Sequence, residues 1–376
     1  MTKPKSTIQK IGILIFILIN MSCNSQSHSD KIAATVKNNA LQLLKDDRFN
    51  AVSITVYSKS VGYINHFGEL DKGKGNTPTN ETLYEIASVT KTMTGYLVAK
   101  AVTDSKINLF DSITKYLGSS YSNLSFNDAP ISIQHLLTHT SGLPLNVNGI
   151  NELYANSTKN CYKKAQKLLS KYSKDSLLND LKNLKIERLP GVEYSYSNVA
   201  PNLLAYILEI VYNKPFETLL NEQLFEPAGM KNTTINLSEK EQKYLTNGYN
   251  DKGELMPNFK KSIQLWGAAG RIKSNAKDLL NYIKFQLQNE NLILKESHTK
   301  LFKDTDTIWI GYFWEILDDK NGVHFEHHGG LYGSQNWLII YPKYDFGISI
   351  ITNSSFLEAN QLIKQTALNI FKDLNY

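Results

Sequence analysis

Strand-forming sequence is concentrated at the two ends of this chain, with a long helix-rich stretch between them. Near the N-terminus, Ala51–Tyr57 alternates Val52, Ile54 and Val56 with smaller or polar residues. Val61–Phe67 repeats the alternation after Ser58-Lys59-Ser60, which reads as an antiparallel hairpin. Toward the C-terminus, Trp309–Leu317, Val323–His327, Ser334–Tyr341 and Phe346–Asn353 are strand candidates, and Pro342–Asp345 turns the chain between the last two. Strands at both ends with helices between predict an α+β fold, not repeated βαβ units. One antiparallel sheet is made by both chain ends and flanked by helices, with an inserted, mostly helical domain. The expected division is 30–97 with 266–376 for the sheet-bearing part and 98–265 for the helical part, the catalytic site lying between them.

Helix signals fill in this frame. Asp30–Leu44 and Glu358–Leu374 read as amphipathic helices before and after the strands. A helix over Ile131–Pro144 is expected to close at Gly142 and Pro144. Another starts near Pro201, burying Leu203, Leu204, Ile207 and Ile210. Ser274 is a candidate cap ahead of Asp278-Leu-Leu. The stretch 146–188, rich in Asn, Lys and Ser, reads as helices and loops at the edge of a site.

The first residues carry an address. Lys3, Lys5 and Lys10 precede an apolar run, Ile11–Ile19, too short for a stable membrane span; 1–22 therefore reads as a signal peptide. Asn20-Met21-Ser22-Cys23 resembles a bacterial lipoprotein signal with Cys23 as the lipidated residue, although Asn20 stands where an aliphatic residue is usual. Cleavage without lipidation is the alternative. Either way the protein is exported to the cell envelope or periplasm, and 23–29 is a tether, with the membrane as partner if Cys23 is acylated. Cys161 is the other cysteine, so removal or lipidation of Cys23 leaves no intramolecular disulfide. The net charge of +6 is spread among single lysines without an Arg-rich stripe, which argues against a nucleic-acid partner.

Ser88-Val89-Thr90-Lys91 is the stretch with chemistry in it. It lies at the start of a helical stripe continued by Leu97, Val98 and Ala101, and residues three apart share a helix face. The Lys91 amine can then accept the Ser88 proton, and the helix start favours a developing oxyanion. The same spacing occurs at Ser112–Lys115 and Ser297–Lys300, so it has meaning only in company. His135 and His139 have the i, i+4 spacing of a zinc pair, but Leu136 stands where a metalloprotease has Glu; two locally bonded histidines are the simpler reading.

The company is Tyr196-Ser197-Asn198 and His328-Gly329-Gly330. With these three motifs in order, and with Leu136–Pro144, Tyr194–Asn198, Pro227–Met230 and Gly267–Gly270 between them, the chain resembles the serine β-lactamase/penicillin-binding protein superfamily. The resemblance is to the class C β-lactamase-related serine hydrolases, from about Ala51 to Asn353. It implies that Ser88 is the nucleophile, Lys91 its partner in proton transfer, and Tyr196 a phenolate-like base and acid whose pKa a cation must lower. Asn198 would hold Lys91 and the substrate amide, and the N–H groups of Ser88 and Leu331 would form the oxyanion hole. His328 and Gly329 stand where relatives carry Lys-Thr of Lys-Thr-Gly, which removes a fixed charge and a hydroxyl that meet a substrate carboxylate. His328, not His327, is expected to face the site. No metal or organic cofactor is implied. The expected activity is hydrolysis, through an acyl-enzyme, of amide or ester bonds in small or peptide-like substrates: an esterase, a D-amino-acid peptidase or amidase, or a weak β-lactamase. A non-catalytic penicillin-binding-type sensor or binding module is the alternative.

Overall fold

The strand runs from the two chain ends meet in one sheet. The computed structural model describes residues 27–146, 150, 153, 159–260 and 264–376; the signal segment and Cys23 fall outside the described residues. Strands β1 (Ala51–Ser58) and β2 (Val61–Gly68) come from the N-terminal side. The C-terminal side supplies β3 (Phe302–Lys303), β4 (Ile308–Gly311), β5 (Trp314–Asp319), β6 (Gly322–Leu331), β7 (Ser334–Tyr341) and β8 (Phe346–Thr352). Their order is β2-β1-β8-β7-β6-β5-β4-β3, with antiparallel neighbours throughout. Val52 opposite Thr352 and Ser58 opposite Phe346 join the two ends.

Helices cover both faces. Trp337, Ile339 and Tyr341 of β7 pack with the helix over 27–43 (α1) and the C-terminal helix. Leu338 and Ile340 join the larger core with α2 (Thr90–Thr103) and the helical insertion. That insertion includes α3 (Ile133–Leu137), α4 (Lys159–Lys171), α5 (Lys174–Asn183) and α6 (Val199–Tyr212). Next come α7 (Ala276–Gln286) and the C-terminal α8 (Ala359–Asp373). Burial on both faces explains why β7 and β8 read as nearly continuous apolar runs.

Local details depart from the sequence reading. Trp309–Leu317 is not one strand: Tyr312 and Phe313 form the two-residue turn between β4 and β5, at φ 50° and 69°. Gly and Asn usually fill such turns. Here both rings are buried, and their packing offsets the backbone penalty. The cap of α7 is Asn275, whose side chain accepts the Asp278 N–H at 2.8 Å, rather than Ser274, whose hydroxyl pairs with Thr233. Helix α6 starts two residues before Pro201. Helix α3 stops at Leu137, and His139 sits beyond it at φ 57°, so His135 and His139 do not share a helix face.

Candidate active site

Ser88 sits at an abrupt bend. Ile86 leaves a short strand pair, Ala87 takes a left-handed φ of 49°, and Ala87–Val89 form one 3₁₀ turn that runs into α2. Only a tight backbone fits behind this bend. At Gly329 of β6 an added Cβ would lie 2.3 Å from the Ile86 carbonyl oxygen and 3.2 Å from the Ser88 nitrogen. The bend leaves Ser88 half-buried at the cavity wall while Lys91, one turn on, is 0% exposed.

The Lys91 amine is held by three oxygens: Ser88 Oγ at 3.1 Å, Asn198 Oδ1 at 2.8 Å and the Ala269 carbonyl at 2.5 Å. No carboxylate is among them. Burial, and then the charge of Arg271, hold the amine well below the usual lysine range. Asn198 is fixed in turn, donating its Nδ2 to Asn146 Oδ1 at 3.0 Å.

Tyr196 approaches from the loop before α6. Its ring centroid is 4.8 Å from Lys91 Nζ, and its phenol lies within hydrogen-bonding reach of Ser88. The expected lowering of this phenol is not found. The ring is partly exposed, but the oxygen lies deep, and burial raises its pKa more than the Ser88 hydrogen bond lowers it. His139 steadies the loop: its Nδ1 accepts the Ser197 N–H at 3.1 Å, its carbonyl accepts from Ser195 N at 2.7 Å, and its ring lies 4.4 Å from that of Tyr196. Burial keeps this imidazole neutral. His135 instead closes a capping box with Ser132 at the start of α3. Each histidine is thus engaged in local bonds of its own.

The third segment is turned one residue from expectation. Opposite residues in an antiparallel pair share a face. His328 pairs with Trp337 on the α8 face, and its Nε2 is 2.6 Å from Gln335 Oε1. His327 pairs with Leu338 on the face that carries α2, against the backbone of Ser88 and Phe313. His327 rather than His328 therefore borders Ser88. Neither of its ring nitrogens makes a well-formed hydrogen bond, and burial, then the Lys91 and His328 charges, push its pKa down to about 3. Leu331 is corrected on similar grounds. It pairs with Ser334 across the two-residue turn Tyr332-Gly333, so its N–H points at β7. The N–H of Gly330, an exposed residue in the intervening wide pair, points instead to the edge of β6 that β5 leaves uncovered beyond Glu326. Gly329 fills the tight space behind Ser88. The signal was present in Phe325, a core residue from which a period of two leads to His327 and Gly329.

These groups open into a cavity of about 810 Å³. Ser88, Asn198 and Arg271 line its polar part, and Leu169, Tyr172 and Leu177 of the α4–α5 region line an apolar part. Tyr162 of α4 stacks on Tyr332 of the β6–β7 turn, 4.2 Å between centroids, tying the insertion to the sheet beside the site. The Ala269 carbonyl, Arg271, His139 and His327 were not distinguished as site residues in the sequence. No group of three or more His, Cys, Asp or Glu side chains among the described residues is placed to hold a metal.

Known proteins share this fold. A class C beta-lactamase superposes with a TM-score of 0.77 at 21% identity, covering 93% of this chain and 98% of its own. The beta-lactamase/D-alanine carboxypeptidase of Yersinia pestis, solved with citrate, gives 0.77 at 22% identity, covering 92% and 99%. In sequence, a beta-lactamase of Providencia stuartii is 26% identical over 317 residues, which are 80% of this chain and 75% of that protein. Protein flp of Staphylococcus aureus (strain MW2) is 24% identical over 328 residues, 85% of this chain, and the match spans 61% of its length. The beta-lactamase family model itself matches residues 36–368, nearly the whole length in which the fold and the Ser88 constellation reside, and the chain belongs to the beta-lactamase family of serine hydrolases.

Proposed function

We propose that this protein hydrolyses ester or amide bonds of small or peptide-like substrates through an acyl-enzyme at Ser88. The observation that carries this reading is the setting of Lys91. Its amine meets two carbonyl oxygens, which can only accept, and one hydroxyl, which can also donate. A neutral amine satisfies all three by donating two hydrogens and turning its lone pair to Ser88. Ser88 Oγ then attacks the substrate carbonyl as its proton passes to Lys91, and the N–H groups of Ser88 and Gly330 receive the oxyanion. Tyr196, kept protonated by burial, gives its proton to the leaving group and regains one through the Ser88–Lys91 network. Water reverses the sequence to release the acid.

The N-terminal sequence supports an exported, envelope-bound form anchored through Cys23. In place of Lys-Thr-Gly, the β6 face carries neutral His327 and bare Gly329. We therefore rank esters and peptide-like amides ahead of β-lactams as substrates.

Labelling with a fluorophosphonate probe, wild type against Ser88→Ala, tests the nucleophile. The wild type should be labelled, and the unlabelled wild type should turn over nitrophenyl esters. A label that survives in Ser88→Ala, or no label in either protein, refutes the reading; a burst without turnover favours the sensor. For the anchor, partition of wild type into detergent and of Cys23→Ala into buffer is expected.

A further inference from the structure

Arg271 lies at the edge of the same machinery without an ion-pair partner among the described residues. It follows the Gly267–Gly270 segment whose Ala269 carbonyl holds Lys91, and it lines the cavity with Ser88 and Asn198. Its guanidinium carbon sits 3.3 Å over the ring centroid of Phe259, which sets its plane. Yet Nη1 is buried without a hydrogen-bond acceptor among the described residues. The acid that responds to its charge, Glu85, accepts the Phe259 N–H and forms no ion pair with Arg271 among the described residues. A guanidinium stays charged and offers five donors in a planar fork, so one left underpaired at a cavity wall is a receptor for an anion. Carboxylate matches the fork in two parallel hydrogen bonds.

We propose that Arg271 is the anion-binding, specificity-determining residue of this cavity, and that the substrate carries a carboxylate which it reads. The proposal rests on the Ser88 reading for its kinetic form. It moves recognition of the anion from β6, where His327 is neutral and His328 faces away, to the segment that also holds Lys91. A bound carboxylate would offset the Arg271 charge felt by the Lys91 amine. The pH profile of kcat for an anionic substrate should then turn on at higher pH than that for a neutral one.

The test uses a matched pair, 4-nitrophenyl butyrate and mono-4-nitrophenyl glutarate. Wild type should favour the anionic ester in kcat/KM by about tenfold or more, and Arg271→Gln should lower that preference by about 30-fold. Arg271→Lys, which keeps the charge but not the fork, should fall between. The offset between the two kcat–pH profiles should vanish in Arg271→Gln. Calorimetric titration of glutarate monoamide into Ser88→Ala, with and without Arg271→Gln, requires no turnover. Weaker binding in the double variant supports the anion site even if Ser88 proves not to be the nucleophile. Equal losses for both esters, or unchanged glutarate monoamide binding, would overturn the proposal.

Discussion

Replacing Gly329 with alanine perturbs the site by a distance the structure supplies. The new Cβ would stand 2.3 Å from the Ile86 carbonyl oxygen, where ordinary contact begins near 3.4 Å. The atom it meets is backbone, so β6 and the 86–88 bend must separate by about 1 Å, since no side chain can swing away. Ser88 rides on that bend, with its nitrogen only 3.2 Å from the same Cβ position. A misplacement of about 1 Å costs on the order of 100-fold in rate. Overpacking of this kind also destabilises by about 1–3 kcal/mol. Gly330→Ala is the contrast: its Cβ would meet Gln335 Oε1 and His328 Cε1 at 3.1 Å, both at the ends of side chains that can move, and the backbone N–H is retained. Its loss should stay below about fivefold. The assay is kcat/KM on a nitrophenyl ester with the rate of fluorophosphonate labelling, alongside a thermal melt. Gly329→Ala with wild-type labelling, or Gly330→Ala as the more damaged protein, would refute the assignment of the His327/Gly329 face to Ser88.

Further outcomes follow from the same geometry. His327→Ala should impair ester turnover at least tenfold more than His328→Ala, about the cost of one disturbed catalytic contact; the reverse ranking in kcat would return His328 to the site. Lys91→Met should lower fluorophosphonate labelling by about 1,000-fold or more, since the base is gone. In the wild type, kcat/KM should rise with pH through a lysine pKa below the usual range, and Asn198→Asp, by placing a carboxylate at 2.8 Å, should move that limb upward. An unmoved limb would mean that another group titrates. His327 has a folded pKa of about 3 against 6.5 unfolded, so the unfolded chain binds more protons between them. Its contribution to stability is full above the unfolded value and declines as pH falls toward the folded one. By about pH 5 the loss is about 2 kcal/mol, and the urea midpoint of His327→Asn should fall less than that of wild type between about pH 7 and 5. Parallel shifts would contradict this.

Sequence pattern reached the sheet because the strands at both ends carry β-branched and aromatic runs that survive any choice of partner. It pointed to Ser88 and Lys91 through their local spacing at a helix start, and to Tyr196 and Asn198 only through the family resemblance; the structure brings these four side chains together. It missed what depends on absolute phase. Period two says that His327 and His328 point opposite ways, and only the register with Leu338 and Trp337 says which way is inward. The Tyr312–Phe313 turn was invisible for a related reason: its left-handed backbone is held by core packing from distant helices, not by turn-forming residues. Arg271 gave no signal because an unpaired cation can be recognised only once its neighbours are known.

Burial decides how the proton is shared between Lys91 and Tyr196. An ammonium beside a phenolate would place two charges where water is excluded, and their attraction would have to exceed two desolvation costs. Instead, burial lowers the amine's affinity for a proton and raises the phenol's, so both shifts favour the uncharged pair. The hydrogen-bond geometry leads independently to the same state. The carbonyls of Ala269 and Asn198 can each absorb one amine hydrogen, and a third donation, to Ser88, would use the hydroxyl oxygen that must attack. An ammonium would thus weaken its own nucleophile, whereas a neutral amine draws the hydroxyl proton and frees the oxygen. In the proposed mechanism the lysine is therefore the base, and the tyrosine is the acid that completes the transfer.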